Sequence, residues 1–215
     1  MNDNLKKNTK NIIGKHYFKF IVIVLLAVWI FTLFKLFYKT EDNTSKTLEA
    51  LKSMESYSTN ISIICKNNKQ ELVYTGKQKY LKNKGSLIEL EKNTYLYKDG
   101  KRYVKNKDTG KVIEEKAEKE DVFRLSFMEE YLNYLYAEQN LKNIKTNPGN
   151  KDEETLYFKL LGNNENLRNA KLIIGNIDRI PKELIILDKE NEVTVKVKYE
   201  NFLKNEKVSE SELKF

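Results

Sequence analysis

Few side chains in this sequence could act as nucleophiles, general bases or soft metal ligands. His16 is the only histidine and Cys65 the only cysteine, and a long apolar segment lies between them. Nucleophilic catalysis of the Cys–His or Ser–His kind needs an imidazole within hydrogen-bond reach, and zinc sites need several clustered ligands. The sequence also lacks a Gly-rich phosphate loop. We therefore expect no nucleophilic catalysis, no metal site and no cofactor.

Adjacent carboxylates remain as candidates for acid–base chemistry. They occur as Glu114-Glu115, Glu129-Glu130 and Glu153-Glu154. Two carboxylates can hydrolyse a glycosidic bond when they flank it at a suitable distance. Neighbours on a helix or a strand point in different directions, so these pairs are poorly placed to converge on one substrate. We predict that the protein is not an enzyme.

An apolar segment near the N-terminus is the one stretch unsuited to water. Its uncharged part runs from Phe20 to Phe34, between Lys19 and Lys35. At about 1.5 Å per residue this part is short for a hydrocarbon core of about 30 Å. The lysine stems can extend toward the head groups and lengthen the usable span. The sequence therefore predicts a transmembrane helix over residues 17–38.

Processing and orientation follow from the flanks of this segment. No small-residue cleavage site of the A-x-A kind follows Ala27, and no lipid-accepting cysteine ends the apolar run. An uncleaved helix is therefore favoured over an atypical cleaved signal peptide. Positive charge on the N-terminal side places residues 1–16 in the cytoplasm and one extracytoplasmic domain at residues 41–215. The lysines concerned are Lys6, Lys7, Lys10, Lys15 and Lys19.

The net charge of +8 is concentrated at the membrane segment. Residues 1–38 hold six lysines and one acid, which leaves 33 basic and 30 acidic residues, a net charge of +3, in the rest. These charges alternate along the chain, as on a solvated surface. Together with an external location, this distribution argues against nucleic acid as a partner.

The first half of the external domain has the pattern of a helix followed by an antiparallel meander. Asn43 or Thr44 caps a short amphipathic helix. The Asp99-Gly100 pair is a strong signal for a type I′ hairpin turn. Strands are predicted at residues 57–65, 71–81, 86–91, 94–98, 102–105 and 111–114.

Residues 118–138 break the strand pattern and predict one long central helix. Its apolar stripe is broader than one sheet face requires, so the helix either covers a lipid-binding cavity or packs on the sheet as ordinary core. The predicted ligand contacts under the first alternative are Phe127, Met128, Tyr131, Leu132 and Leu135.

Sheet structure resumes in the second half. Strands are predicted at residues 155–161, 168–174, 183–188 and 192–199, after a loop at Pro148. The last of these alternates strictly, with Val193, Val195, Val197 and Tyr199 on one face. The tail that ends at Phe215 could add a short edge strand.

Five segments carry a resemblance to a known family. They are SYSTNISI, YTGKQKYLKNKG, YLYKDGKRYVKN, LSFMEEYL and VKYENFLKNEKVSESELKF. On these segments the chain resembles the clostridial germination lipoproteins of the GerS family, which have the wider LolA/LppX lipoprotein-carrier fold. The resemblance implies an α+β protein in which a strongly curved antiparallel sheet, a half-barrel, follows the transmembrane helix and wraps one or two helices.

The same resemblance implies a noncatalytic function. GerS-like proteins partner the cortex amidase CwlD in spore cortex modification and germination, so a CwlD-type amidase is the implied partner. The chain differs from these lipoproteins in keeping an apolar helix where they have a lipid-accepting cysteine. The leading hypothesis is a membrane-anchored binding module of the cell or spore envelope. Lipid or lipoprotein carriage is the alternative, and exposed strand edges also allow a homodimer.

Overall fold

The computed structural model describes Leu26, Val28, Trp29 and residues 43–66, 69–136, 145–148, 152–160 and 162–215. The chain divides into two units, Met1–Asp42 and Asn43–Phe215. The predicted transmembrane helix lies outside the described residues except for those first three, which are helical. Within the described ranges, no helix is long and apolar enough to cross a membrane.

Three α-helices are described in the second unit. They are α1 (Asn43–Lys52), α2 (Val122–Leu125) and α3 (Met128–Tyr136). The first is the predicted amphipathic helix. The prediction of one continuous helix over residues 118–138 is wrong, because Ser126 and Phe127 are not helical and separate α2 from α3.

Strands in the described ranges form one 11-stranded antiparallel sheet with the order β6-β5-β4-β3-β2-β1-β11-β10-β9-β8-β7. Two meanders therefore join along β1 and β11, and β6 and β7 form the two edges. The sheet is not closed into a barrel. The strands are β1 Ser56–Lys66, β2 Glu71–Leu81, β3 Gly85–Leu90, β4 Asn93–Lys98, β5 Lys101–Asn106, β6 Val112–Lys116, β7 Lys145–Pro148, β8 Glu153–Lys159, β9 Asn169–Gly175, β10 Pro181–Leu187 and β11 Val193–Lys204.

The sheet curves around the α2–α3 segment. Phe127 contacts Tyr97 of β4, with ring centroids 5.7 Å apart, and Tyr131 contacts Phe158 of β8 at 6.0 Å. Seven strand spacings separate β4 from β8, which is about 34 Å along a flat sheet. Two side chains one helical turn apart are only about 6 Å from each other. The sheet must therefore bend strongly, which agrees with the predicted half-barrel.

The core lies on the inner, concave face of the sheet. The alternation predicted for β11 is confirmed from Val195 onward, with Val195, Val197 and Tyr199 buried. It is wrong for Val193 at the start of the strand, which is 42% exposed. These three buried residues share one cluster with residues of α1, α2 and α3 and of strands β1 to β4 and β8 to β10. An antiparallel sheet with one covered face explains the alternation along these strands.

The C-terminal tail packs on the outer, convex face of the sheet. The prediction of a last edge strand is wrong, because Glu210–Glu212 forms a 3₁₀ helix capped by Ser209. Val208 and Leu213 of the tail are buried against Leu87 and Leu96 of β3 and β4. The tail therefore covers an apolar patch rather than adding a strand.

Candidate functional site

A buried polar network holds the break between α2 and α3. Ser126 Oγ donates a hydrogen bond to the carbonyl of Phe123 and accepts one from Gln78 Nε2 of β2. Tyr199 Oη of β11 donates to the Ser126 carbonyl at 2.7 Å, and Tyr57 Oη of β1 accepts from the Met128 N–H at 3.2 Å. Tyr199 and Tyr57 thus satisfy backbone groups that a continuous helix would have paired internally, while Gln78 binds the Ser126 hydroxyl.

The predicted lipid contacts lie at this break and in α3. Phe127, Met128 and Tyr131 are fully buried, and Leu132 is 4% exposed. The Leu135 side chain lies outside the described residues. The four described side chains belong to the hydrophobic core that fills the concave face. They contact protein side chains here, and lipid contact at these residues stays a prediction.

A cleft of about 440 Å³ opens at one end of the sheet, beside the start of α3. Its walls are the β2–β3 turn and the β4–β5 turn. The second turn places Asp99 and Gly100 at φ of 52° and 75°, as the type I′ signal predicts. The lining residues are Met54, Tyr80, Lys82, Asn83, Lys84, Gly85, Tyr97, Lys98, Asp99, Gly100, Lys101, Ala117, Arg124, Glu129, Glu130 and Leu132.

Glu129 is the electrostatically unusual group of this cleft. Burial raises the pKa of its carboxyl to about 7, against a hydrogen bond from Ser86 Oγ at 2.5 Å that favours the ionised form. Glu130 raises this pKa further and Arg124 lowers it. In the part of the chain that the structure describes, Glu129 makes no ion pair. Its charge is therefore poorly compensated when it ionises.

The neighbouring carboxylate has a different environment. Glu130 accepts a hydrogen bond from Arg124 Nε at 2.7 Å and forms an ion pair with it. The two acids of the Glu129-Glu130 pair thus have separate partners, as expected for neighbours on a helix.

Lysines surround the mouth of the cleft. Lys82 pairs with Glu55 at 2.7 Å, Lys84 with Glu210 at 2.6 Å and Lys101 with Glu114 at 2.5 Å. These lysine side chains are 33%, 47% and 50% exposed, so each pair contributes little stability and can exchange partners readily. Lys98 is the fourth lysine in the lining.

A second network fixes α2 against the cleft wall. Tyr97 Oη donates to Asp121 Oδ2 at 2.7 Å, and Arg102 Nη1 donates to the same oxygen at 2.6 Å. Asp121 also caps α2 by accepting from the Phe123 N–H at 3.0 Å. Burial is the largest of the effects that raise the Tyr97 pKa, so its hydroxyl stays a donor. These contacts position the segment that carries Glu129.

Strand β6 forms an open edge of the sheet. All five of its residues are exposed, including Val112 at 45% and Ile113 at 46%. The Asn106 N–H bonds to the Lys111 carbonyl and the Ala117 N–H to the Gly100 carbonyl, on either side of the strand. Because the hydrogen-bonded pairs of an antiparallel ladder alternate, the backbone groups of residues 112, 114 and 116 point away from β5. These groups are placed to pair with another strand.

Sequence reasoning missed several of these residues. Tyr57, Gln78, Ser86 and Tyr199 each lie on a strand, where the pattern assigns them only a face. The sequence presents Glu129 only as part of a carboxylate pair. The signal that could have singled it out is its place within an apolar helical stripe, between Met128 and Leu132. A carboxyl at such a position is partly desolvated.

The family model for sporulation protein YdcC-like matches residues 15–213. The chain belongs to the YdcC-like sporulation protein family. This match covers both units of the chain and confirms the predicted kinship with sporulation and germination proteins. Among curated proteins, none is similar enough to this YdcC-like chain to count as a match.

Several solved structures are similar to this chain, all at low sequence identity. An uncharacterized conserved protein from Thermus thermophilus is 10% identical, with a TM-score of 0.50 over 80% of this chain and 93% of that chain. A chain in the structure of the CwlD amidase from Clostridioides difficile in complex with the GerS lipoprotein is 22% identical, with a TM-score of 0.46 over 77% of this chain and 95% of that chain. The LolA superfamily protein NE2245 from Nitrosomonas europaea is 11% identical, with a TM-score of 0.40 over 79% of this chain and 96% of that chain.

Proposed function

We propose that this YdcC-like protein is a membrane-anchored, noncatalytic binding module that acts outside the cytoplasm during sporulation. It binds a partner protein by strand addition at the β6 edge. The partner proposed is a cortex-modifying amidase of the CwlD type. Membership of a sporulation family and the sequence segments shared with GerS-like proteins support the process and the partner class.

The open β6 edge is the observation that carries the proposal. Soluble proteins usually protect edge strands, because an exposed row of backbone donors and acceptors recruits other strands. The opposite edge strand, β7, ends on Pro148, which has no N–H to donate. Edge β6 combines free backbone groups with the half-exposed Val112 and Ile113. Main-chain bonds would supply affinity and these side chains would supply specificity.

A single substitution tests the outer side of β6 without disturbing the rest of the sheet. Glu114→Pro removes a backbone N–H that points away from β5, so the β5–β6 ladder is retained. Glu114→Ala is the matched control, because it removes the same side chain and its ion pair with Lys101 but keeps the N–H. Ile177→Asp is a control for substitution of an exposed residue outside the edge, since Ile177 is 89% exposed.

The assay is native mass spectrometry of the full chain, in detergent, co-expressed with the CwlD-type amidase of the same organism. We expect a stoichiometric complex for the wild type, Glu114→Ala and Ile177→Asp, and loss of the complex for Glu114→Pro. Absence of any complex with the wild type contradicts the proposed partner. A complex that survives Glu114→Pro contradicts docking at β6.

The same spectra test the other predictions. A homodimer that disappears in Glu114→Pro would mean that β6 binds a second copy of this chain rather than an amidase. A retained lipid mass would favour the carrier alternative, with Phe127, Met128, Tyr131, Leu132 and Leu135 as its predicted contacts. The packing of the described residues of this set against the sheet favours protein binding over lipid binding.

Membrane anchoring by residues 17–38 is a separate part of the proposal. It predicts that the full chain sediments with membranes and resists extraction at high salt and high pH. It also predicts that protease added outside the cytoplasmic membrane degrades residues 41–215. Release of the chain by alkaline carbonate would contradict the anchor.

A further inference from the structure

We propose that the cleft between the β2–β3 and β4–β5 turns binds a zwitterionic amine, with the ammonium group at Glu129 and the carboxylate at the lysines of the rim. This site is joined to the β6 edge by the Lys101–Glu114 ion pair, and it does not depend on the amidase proposal. Its size of about 440 Å³ is within the range of small-ligand pockets.

The first argument is the state of Glu129. Its carboxyl lines the cleft, and within the described ranges its one hydrogen bond is the one that Oε1 accepts from Ser86 Oγ. The charged groups that shift the Glu129 pKa are Glu130 and Arg124 of the same segment. The charge of Glu129 in turn raises the pKa of Tyr57 on β1. Arg124 is already paired with Glu130. An ammonium ion from a ligand would supply the cation that the described residues do not.

The second argument comes from the charge of the rim. Lys82, Lys84, Lys98 and Lys101 stand on the two turns that form the cleft walls. A bare alkylammonium ion would be repelled by these lysines at the entrance. A ligand that also carries a carboxylate would be attracted by them, so the pattern of charge favours a zwitterion. The carboxylate can replace the exposed, weakly bound acids that now pair with the lysines.

Apolar and aromatic groups complete the floor. Tyr80, Tyr97 and Leu132 line the cleft between the rim and the core. Tyr97 is fixed by its hydrogen bond to Asp121 and by the ring of Phe127. A short methylene chain between the two charges of the ligand would contact this surface. The class of ligand is therefore an amino acid or peptide with a lysine-like amine.

Isothermal titration calorimetry with three matched probes tests the proposal on the full chain in detergent. The probes are 6-aminohexanoate, hexylamine and hexanoate, which carry both charges, the ammonium alone and the carboxylate alone. We expect 6-aminohexanoate to bind and the other two to bind at least about ten-fold more weakly, the equivalent of about 1.4 kcal/mol. Equal binding of hexanoate, or no heat from any probe at millimolar concentration, overturns the proposal.

The number of protons released on ligand binding is a second measurement. It would be zero if Glu129 had only a structural role. An ammonium ligand stabilises the ionised carboxylate, and the pKa of Glu129 is about 7 before binding. At pH 7, binding should therefore release about half a proton, and at pH 8 about a tenth. Titrations in two buffers of different ionisation enthalpy measure this release. Binding without proton release at pH 7 contradicts the role of Glu129.

Variants locate the two charges. Glu129→Gln keeps an acceptor for Ser86 and should weaken 6-aminohexanoate binding at least about ten-fold, whereas Glu91→Gln, an exposed acid outside the cleft, should not. Lys98→Gln should weaken 6-aminohexanoate binding but not hexylamine binding. Unchanged affinity in Glu129→Gln refutes the site, and unchanged affinity in Lys98→Gln refutes the place of the carboxylate at this lysine.

Discussion

The partly buried carboxyl of Glu129 makes the stability of the domain depend on pH. Its pKa is raised by burial from 4.5 to about 7, so the folded state binds the proton more tightly than the unfolded state. For an acid with a raised pKa, this stabilisation is complete below about pH 4.5. It is lost as the pH rises to and through 7. Glu129→Gln removes the titrating group but keeps an acceptor for the Ser86 hydroxyl.

The expected magnitude follows from the difference between the two pKa values. Each pKa unit corresponds to about 1.4 kcal/mol, so the ionised carboxyl costs about 3 kcal/mol at pH 8 relative to pH 4. Solvent in the cleft reduces this value, which makes it an upper bound. We expect the variant and the wild type to be similarly stable at pH 4, and the variant to be about 2 to 3 kcal/mol more stable at pH 8.

Urea unfolding of the full chain at both pH values, followed by circular dichroism, measures the difference. Glu91→Gln controls for removal of an exposed carboxylate and should not change the dependence on pH. A stability difference between Glu129→Gln and the wild type that is the same at pH 4 and pH 8 would refute the argument. It would mean that Glu129 is hydrated in the folded state.

Three further substitutions probe the fold. Tyr199→Phe removes the hydroxyl that donates to the Ser126 carbonyl and should cost about 1 to 3 kcal/mol of unfolding free energy, measured in urea. Gly76→Ala would place a Cβ 2.1 Å from the Glu89 carbonyl oxygen, so we expect loss of the β2–β3 pairing and a clearly lower melting temperature. Leu213→Ala should cost about 2 to 4 kcal/mol if the tail is part of the folded unit, and an unchanged stability would show that it is not.

Local patterns in the sequence were sufficient to predict most of the sheet. Strand β2 has the predicted bounds of residues 71–81, and the alternation of Val195, Val197 and Tyr199 gives the buried face of β11. The Asp99-Gly100 turn adopts the positive φ angles that its sequence requires. These features depend on neighbours within a few residues, so periodicity and turn chemistry contain the necessary information.

The helix break could not be predicted in the same way. The apolar stripe of residues 118–138 continues through Ser126, so the sequence favours one helix. The break is stabilised by Gln78 and Tyr199, which are 48 and 73 residues away in sequence. Local helix propensity is weak compared with such tertiary contacts. Similarly, the raised pKa of Glu129 depends on burial by other parts of the chain.

The prediction of an edge strand in the C-terminal tail is wrong for a different reason, because the sequence does contain a signal for the helical turn that forms there. Ser209 and Glu212 have the spacing of a capping box, in which each side chain bonds to the backbone of the other residue. The alternation of apolar and polar residues in the tail nevertheless favoured a strand. The capped turn forms here because it allows Val208 and Leu213 to be buried against Leu87 and Leu96 on the outer face of the sheet.

The edge and the interior of this sheet have opposite properties, and this contrast bears on function. The concave face is filled by side chains of the α2–α3 segment, whereas β6 is exposed along its whole length. Its last three residues, Glu114, Glu115 and Lys116, are charged, and charges at an edge disfavour indiscriminate strand pairing. A partner strand with complementary charges would still pair with it. Val112 and Ile113 would then contribute apolar contact, which would make strand pairing at this edge selective for such a partner.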